Sequence, residues 1–211
     1  MVAAAKNRSL LRGESGTAMV EGLIVFPLVL LAIAAFFEFG YAVYQYNQTV
    51  KALQYGARRA AVSDYLIALP NNDADGIPDA LISDYVNDAG TPVPSTVVSV
   101  SCGVGTTACD TDELNRLVYG SDDTCTTNLG TSMPGMCDYN DRIRPENVLI
   151  TYYRAGLGFI GRPSGPVVTV SVEVPNLTFD LPFIGALLGF NEFTIPAHAV
   201  TLTSEDLSNT K

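Results

Sequence analysis

The sequence predicts an α+β fold in which one long N-terminal helix packs on an antiparallel β-sheet. Residues 22–37 are sixteen consecutive uncharged residues, and a heptad-like apolar pattern continues the helix from residue 41 to about 66. Runs of β-branched residues after residue 95 indicate the strands. The chain has 211 residues, of which 47% are hydrophobic and 16% are charged. This composition excludes a chain that is disordered throughout.

Charge divides the chain into a basic head, an apolar segment and an acidic body. Residues 1–16 carry a net charge of +2 and the residues after Ser63 carry −13, while the whole chain carries −10. Because an acidic surface repels phosphate backbones, nucleic acid is not an expected partner. Sixteen helical residues span about 24 Å, close to the ~30 Å hydrocarbon core of a bilayer. We expect a membrane helix rather than a buried core helix, since its apolar residues show no 3.6-residue period.

The N-terminus is open to three interpretations. One is an uncleaved signal anchor. Another is a secretory signal peptide cleaved after Ala34, because residues 32–34 fit an A-x-A cleavage site. The third explains Glu21, a carboxylate at the start of the apolar run, which is costly at membrane depth and indicates a functional partner. If the chain were cleaved after Gly16, the new α-amino group of Thr17 could pair with this carboxylate between neighbouring subunits.

Under the third interpretation, residues 12–64 resemble the TadE-like family, the pseudopilins or minor pilins of Tad (tight adherence, Flp-type) type IV pilus systems. The matching elements are Gly16 followed by Glu21, Phe26-Pro27, Glu38-Phe39-Gly40 and the small-residue helix Gly56-Ala57-Arg58-Arg59-Ala60-Ala61. The resemblance implies cleavage between Gly16 and Thr17 by a prepilin peptidase. It also implies a cytoplasmic N-terminus, a single pass through the bacterial inner membrane and a periplasmic acidic body.

The same resemblance implies a structural role in pilus assembly, initiation or capping, in support of surface adhesion, rather than catalysis. Its expected partners are other pseudopilins, the major pilin, the prepilin peptidase, the inner-membrane assembly platform and the lipid bilayer. Thr17 and Glu21 would carry subunit docking. The rival hypothesis is a calcium-dependent extracytoplasmic adhesin or binding module, either signal-anchored or secreted.

Five segments are expected along the chain. They are a prepilin leader at 1–16, a transmembrane helix at 17–40, a continuing amphipathic helix at 41–66, an acidic turn-rich linker at 67–94 and a periplasmic β-sheet domain at 95–211. Within the last segment, β-branched runs predict strands at 96–102, 148–154, 167–174 and 193–202. Short turns between the last three favour an antiparallel meander, and the plan as a whole is pilin-like.

The linker contains a candidate calcium loop. Its residues with calcium-loop spacing are Asn71, Asp73, Asp75, Ile77 through its backbone carbonyl, and Asp79, with Gly76 at the turn. The Glu expected at the twelfth position is absent, and Asp84 is the nearest substitute. A polar linker without metal is the alternative interpretation. No cofactor is required, and any calcium would be structural.

Four cysteines follow the apolar segment, at Cys102, Cys109, Cys125 and Cys137. None forms a C-x-x-C pair, so neither a thioredoxin-type site nor a standard zinc knuckle fits. An even number of cysteines in an exported body predicts two disulfides. Three pairings are open, and the short loops favour sequential pairing. Asp110 is expected to cap a helix between the two bridges.

The remaining motifs do not indicate an enzyme. The G-x-G-x-x-G sequence at 156–161 is followed by two prolines, which block the helix that a dinucleotide site needs. His198 is the chain's one histidine, so a histidine-based zinc triad is not possible. A second apolar stretch at 179–190 is too short to span a membrane. We expect it to fold over the sheet edge, with an exposed contact for another pilus subunit as the alternative.

Overall fold

The computed structural model describes residues 15–68, 76–85, 89–126, 133–162, 165–189, 192–194 and 199–204. Within these ranges the helices are α1 (Ser15–Ala60), α2 (Asp79–Ile82), α3 (Thr111–Tyr119) and α4 (Ile184–Leu188). The strands are β1 (Val98–Gly103), β2 (Leu149–Arg154), β3 (Thr169–Glu173), β4 (Thr178–Asp180), β5 (Glu192–Thr194) and β6 (Val200–Thr203). A long apolar helix with an antiparallel four-stranded sheet confirms the predicted α+β class.

The chain divides into two compact units. The first comprises Met1–Val43 with Asp180–Glu192, and the second comprises Tyr44–Phe179 with Phe193–Lys211. In the first unit, α1 begins at Ser15 and continues through Pro27. Among the described residues it is the helix that is long and apolar enough to cross a membrane, by length and composition.

In the second unit, α1 contributes an apolar face to a buried core. Three residues of the heptad-like apolar pattern are fully buried, namely Leu53, Ala57 and Ala60. A methyl group at Gly56 would lie 2.5 Å from the Met136 sulfur, so the glycine permits close packing at this point. This half of the helix therefore packs on the chain's own domain, as its apolar spacing predicted.

The helix ends at Ala60 rather than near residue 66, so its predicted end was wrong. Residues beyond Ser63 form tertiary contacts in place of helical hydrogen bonds. The backbone N–H of Leu66 donates to the Tyr152 hydroxyl at 3.2 Å, and its carbonyl accepts from the Asp110 N–H at 2.7 Å. Burial raises the pKa of the Tyr152 hydroxyl well above its ordinary value. These distant partners outweigh the local helical preference.

The core sheet has four antiparallel strands in the order β1-β2-β3-β6. Tyr152 pairs with Val100 on one side and with Val170 on the other, and Val170 pairs with Leu202. Tyr152 and Val170 are fully buried in the core, but Thr151 and Ser171 on the opposite face are buried too, so the middle of β3 is not half-buried as its alternating sequence predicted. The predicted meander of the last three strands is therefore correct in its order.

The last predicted strand, 193–202, was wrong as one continuous element. Its first part is β5, which pairs with β4 in a separate two-stranded sheet, and its last part is β6 in the core sheet. Pro196 lies between the two in sequence, and proline lacks the N–H that a central strand needs. One strand through this position would lose a ladder hydrogen bond.

Candidate functional site

The first two turns of α1 hold the predicted cleavage and docking residues. Gly16 and Glu21 are both exposed, and Thr17 lies in the helix between them. A methyl group built on Gly16 would meet no described atom within 4 Å. Glu21 lies four residues after Thr17, so its carboxylate is about one helical turn from the position that a new amino group at Thr17 would occupy.

Beyond Glu21, the first unit presents apolar side chains around the helix. The residues from Leu23 to Phe37 are exposed except for half-buried Ala34. A helix that is apolar on all sides requires an apolar environment, such as lipid or neighbouring helices. The apolar run ends at Glu38, whose side chain is only 4% exposed.

Glu38 forms a contact that the sequence did not indicate. Its Oε2 accepts a hydrogen bond from the backbone N–H of Phe183 at 2.9 Å, across 145 residues of sequence. The partner lies just before α4, inside the second apolar stretch. From Asp180 onward this stretch falls in the same unit as the apolar part of α1, whereas Phe179 belongs to the second unit and is fully buried. This differs from the expectation that the whole stretch would fold over the sheet edge.

Comparison with known protein families gives a match over most of α1. Residues 16–58 match the family model described as TadE-like protein. The chain carries a TadE-like segment. The matched range begins at Gly16 and covers most of α1, so the resemblance seen in the sequence is confirmed there. Searches of curated proteins and of solved structures gave no match.

The TadE-like segment associates the chain with Tad pilus systems and with a membrane. It ends at Arg58, two residues before α1 ends. It therefore contains both the exposed apolar turns and the buried small-residue face around Gly56. The cleavage and docking roles of Gly16, Thr17 and Glu21 remain predictions within it.

Downstream of the TadE-like segment, the candidate calcium loop is only partly described. Asn71, Asp73 and Asp75 lie outside the described residues. Ile77 is buried, and Asp79 begins α2. Within the parts of the chain that the structure describes, no group of three or more His, Cys, Asp or Glu residues could hold a metal ion. Calcium binding remains a prediction.

Asp84, the suggested substitute for the twelfth calcium ligand, forms an ion pair with Arg154. Both of its carboxylate oxygens accept hydrogen bonds from the Arg154 guanidinium, one of them at 2.7 Å. The Arg154 side chain is fully buried at the end of β2, and its Cζ lies 5.6 Å from the centre of the Tyr85 ring. The pair ties the segment after α2 to the sheet, and no motif in the sequence revealed it.

The hydrogen bonds from Arg154 lower the pKa of Asp84 below its usual value of 3.8. Because folding stabilises the carboxylate form, the pair contributes stability above about pH 4. The contribution is lost as the pH falls through the lower folded pKa. We expect Asp84→Asn to destabilise the protein near neutral pH and to flatten part of its acid unfolding curve. Tyrosine circular dichroism during thermal unfolding at several pH values measures this.

Asp79→Asn is the matched control for that prediction, since Asp79 is an exposed acid in the same short segment. It should leave both the melting temperature and its acid dependence close to those of the wild type. Equal effects of the two substitutions would contradict the assignment of the acid-sensitive contribution to the Asp84–Arg154 pair.

Two disulfides flank α3 in the second unit. Cys102 pairs with Cys109, and Cys125 pairs with Cys137, which is the sequential pairing that the short loops favoured. Asp110 caps α3 as predicted, because its side chain accepts from the N–H groups of Asp112 and Glu113. The first bridge therefore joins β1 of the core sheet to the residue just before the α3 cap. The second joins the segment after α3 to Cys137.

The glycine motif at 156–161 serves as a turn-rich connection. Its three glycines have positive φ angles. The backbone of Ile160 bonds in both directions to the neighbouring segment, accepting from Gly90 and donating to Thr91. Within the motif, the N–H and carbonyl groups of Ile160 are therefore both used in hydrogen bonds to the segment at residues 90–91. His198 lies outside the described residues.

Proposed function

We propose that the chain is a pseudopilin that helps initiate or cap a Tad-type pilus, with a structural rather than a catalytic role. The observation that supports this most is the helix from Ser15, which carries Glu21 among exposed apolar turns, within a TadE-like match that begins at Gly16. Before export the basic head would stay in the cytoplasm. This orientation follows from the family resemblance, because three basic residues precede the apolar run and three follow it before Ser63.

In this proposal, a prepilin peptidase cuts between Gly16 and Thr17 at the cytoplasmic face of the inner membrane. The apolar turns of α1 first lie in lipid. The assembly platform then brings the chain to other pseudopilins or to the major pilin, against which these turns pack. One apolar surface serves both environments because lipid and neighbouring helices are similarly non-polar. The disulfide-bonded second unit would lie in the periplasm or at the pilus tip, where oxidation is possible.

The first residue of the mature protein tests the processing step. We expect Thr17 when the chain is produced with its prepilin peptidase, and an unprocessed chain when the peptidase is omitted. N-terminal sequencing of the purified protein measures this. Ala35 as the first residue would contradict the proposal and support a secreted protein, while an uncleaved chain from peptidase-containing cells would support a plain anchor.

A further inference from the structure

The second apolar stretch extends beside the exit of the apolar helix. Residues 181–189 are nine uncharged residues between Asp180 and Glu192, and they belong to the same compact unit as α1 up to Val43. Two large side chains in this segment face outward, since Phe183 is 58% and Leu187 is 67% exposed. This segment, residues 181–189, is called the apolar foot below.

The Glu38 contact fixes the level of the apolar foot along α1. Because Glu38 binds the backbone of Phe183, the foot begins where the sixteen uncharged residues end. The side chains of Phe36, Phe37 and Phe39, next to Glu38, are also exposed. Successive helical residues are rotated by about 100°, so these three rings point in different directions around the helix. At the level of Glu38, exposed apolar side chains therefore lie on more than one side of α1.

Part of the backbone of the apolar foot is hydrogen-bonded within the protein, which favours contact with lipid. The first N–H groups of α4 have no side-chain cap, and they would bond to water in the headgroup boundary. The Phe183 N–H is bound by Glu38, the Leu187 N–H donates to the Phe183 carbonyl, and the Gly189 N–H donates to the Gly185 carbonyl. The acidic residues lie outside the foot, at its two ends, where they can remain in water.

We propose that the apolar foot inserts Phe183 and Leu187 into the lipid headgroup boundary of the leaflet through which α1 leaves the membrane. The proposal rests on the membrane crossing of α1 in the proposed function. Interfacial amphipathic helices bury their apolar face by about 5–10 Å in this boundary, and we expect a similar depth for these two side chains. The foot makes a second lipid contact, and Glu38 acts as the positioning residue that joins it to the membrane helix.

Single tryptophans test this contact, since the chain has none of its own. Phe183→Trp and Leu187→Trp are reconstituted in vesicles of phosphatidylethanolamine and phosphatidylglycerol that contain lipids with a nitroxide near the headgroup. Phe37→Trp reports insertion of α1. Phe159→Trp is the matched control, because Phe159 is also 58% exposed but lies in the second unit.

We expect the nitroxide lipids to quench tryptophan at positions 183 and 187 several times more than at position 159. Glu38→Leu should reduce quenching at position 183, whereas Glu38→Gln should retain most of it because the amide oxygen still accepts the hydrogen bond. Quenching at position 37 without excess quenching at 183 or 187 would overturn the foot while leaving the membrane helix intact.

Two further outcomes would also overturn the proposal. Absence of quenching at position 37 would show that α1 does not cross the membrane, so the proposed anchoring would fail together with the foot. If the nitroxide lipids did not quench tryptophan at position 183, and its emission maximum shifted to the blue only as the protein concentration rose, the foot would be a contact between subunits.

Discussion

Replacing Glu21 with Gln should reduce pilus assembly at least about tenfold, equivalent to about 1.4 kcal/mol of docking free energy. Cleavage after Gly16 would leave an ammonium group on Thr17 at the edge of an apolar helix. A charge in hydrocarbon is costly unless an opposite charge compensates it. An amide can accept a hydrogen bond from the ammonium, but it cannot neutralise the charge. Cleavage should continue, because the substitution leaves Gly16 and Thr17 unchanged.

The assay for this prediction is the quantity of sheared pili, measured by immunoblotting and electron microscopy. Glu21→Asp retains the charge and should preserve part of the assembly. Glu14→Gln alters an acid of the leader, which cleavage would remove, and should leave assembly unchanged. Normal piliation by Glu21→Gln, with Thr17 confirmed as the first residue, would show that the proposed ion pair is unnecessary.

Removing both disulfides should cause the largest loss of stability in the second unit. The bridges span sequence separations of 7 and 12 residues. Loop-closure entropy assigns about 2.5 kcal/mol to the first and about 3 kcal/mol to the second. We therefore expect replacement of all four cysteines by Ala to lower the melting temperature by roughly 10–20 °C.

Thermal unfolding of the detergent-solubilised protein, followed by tyrosine circular dichroism, measures this loss. Variants lacking one pair should show intermediate melting temperatures. A reducing agent should destabilise the wild type and leave the variant without cysteines unaffected. A wild type whose melting temperature does not respond to reduction would contradict the expected contribution.

Local patterns in the sequence predicted the elements whose causes are local. The uncharged run predicted α1, the alternating valines predicted the strand β3, and Asp110 predicted the start of α3. The two short cysteine loops predicted the disulfides for the same reason, since each pair is close in sequence. The TadE-like resemblance likewise depended on motifs within one helix.

Contacts between distant parts of the chain set the features that the sequence did not reveal. α1 ends early because Leu66 bonds to Asp110 and Tyr152 rather than to the preceding helical turn. The sequence suggested Asp84 as a substitute calcium ligand because its actual partner, Arg154, lies 70 residues away and could not be foreseen. In the sequence, Glu38 marked the end of the apolar run and belonged to a TadE-like motif, but no local pattern indicated Phe183 as its partner.

The hydrogen bond between Glu38 and Phe183 places a time order on biosynthesis. The ribosome adds the glutamate 145 residues before the residue that binds it, a delay on the order of ten seconds at ordinary translation rates. The nascent helix therefore carries this carboxylate without that bond until residue 183 has been added. Only a chain elongated past residue 183 can form this hydrogen bond. A product truncated before that residue would retain the helix but lack the bond at Glu38.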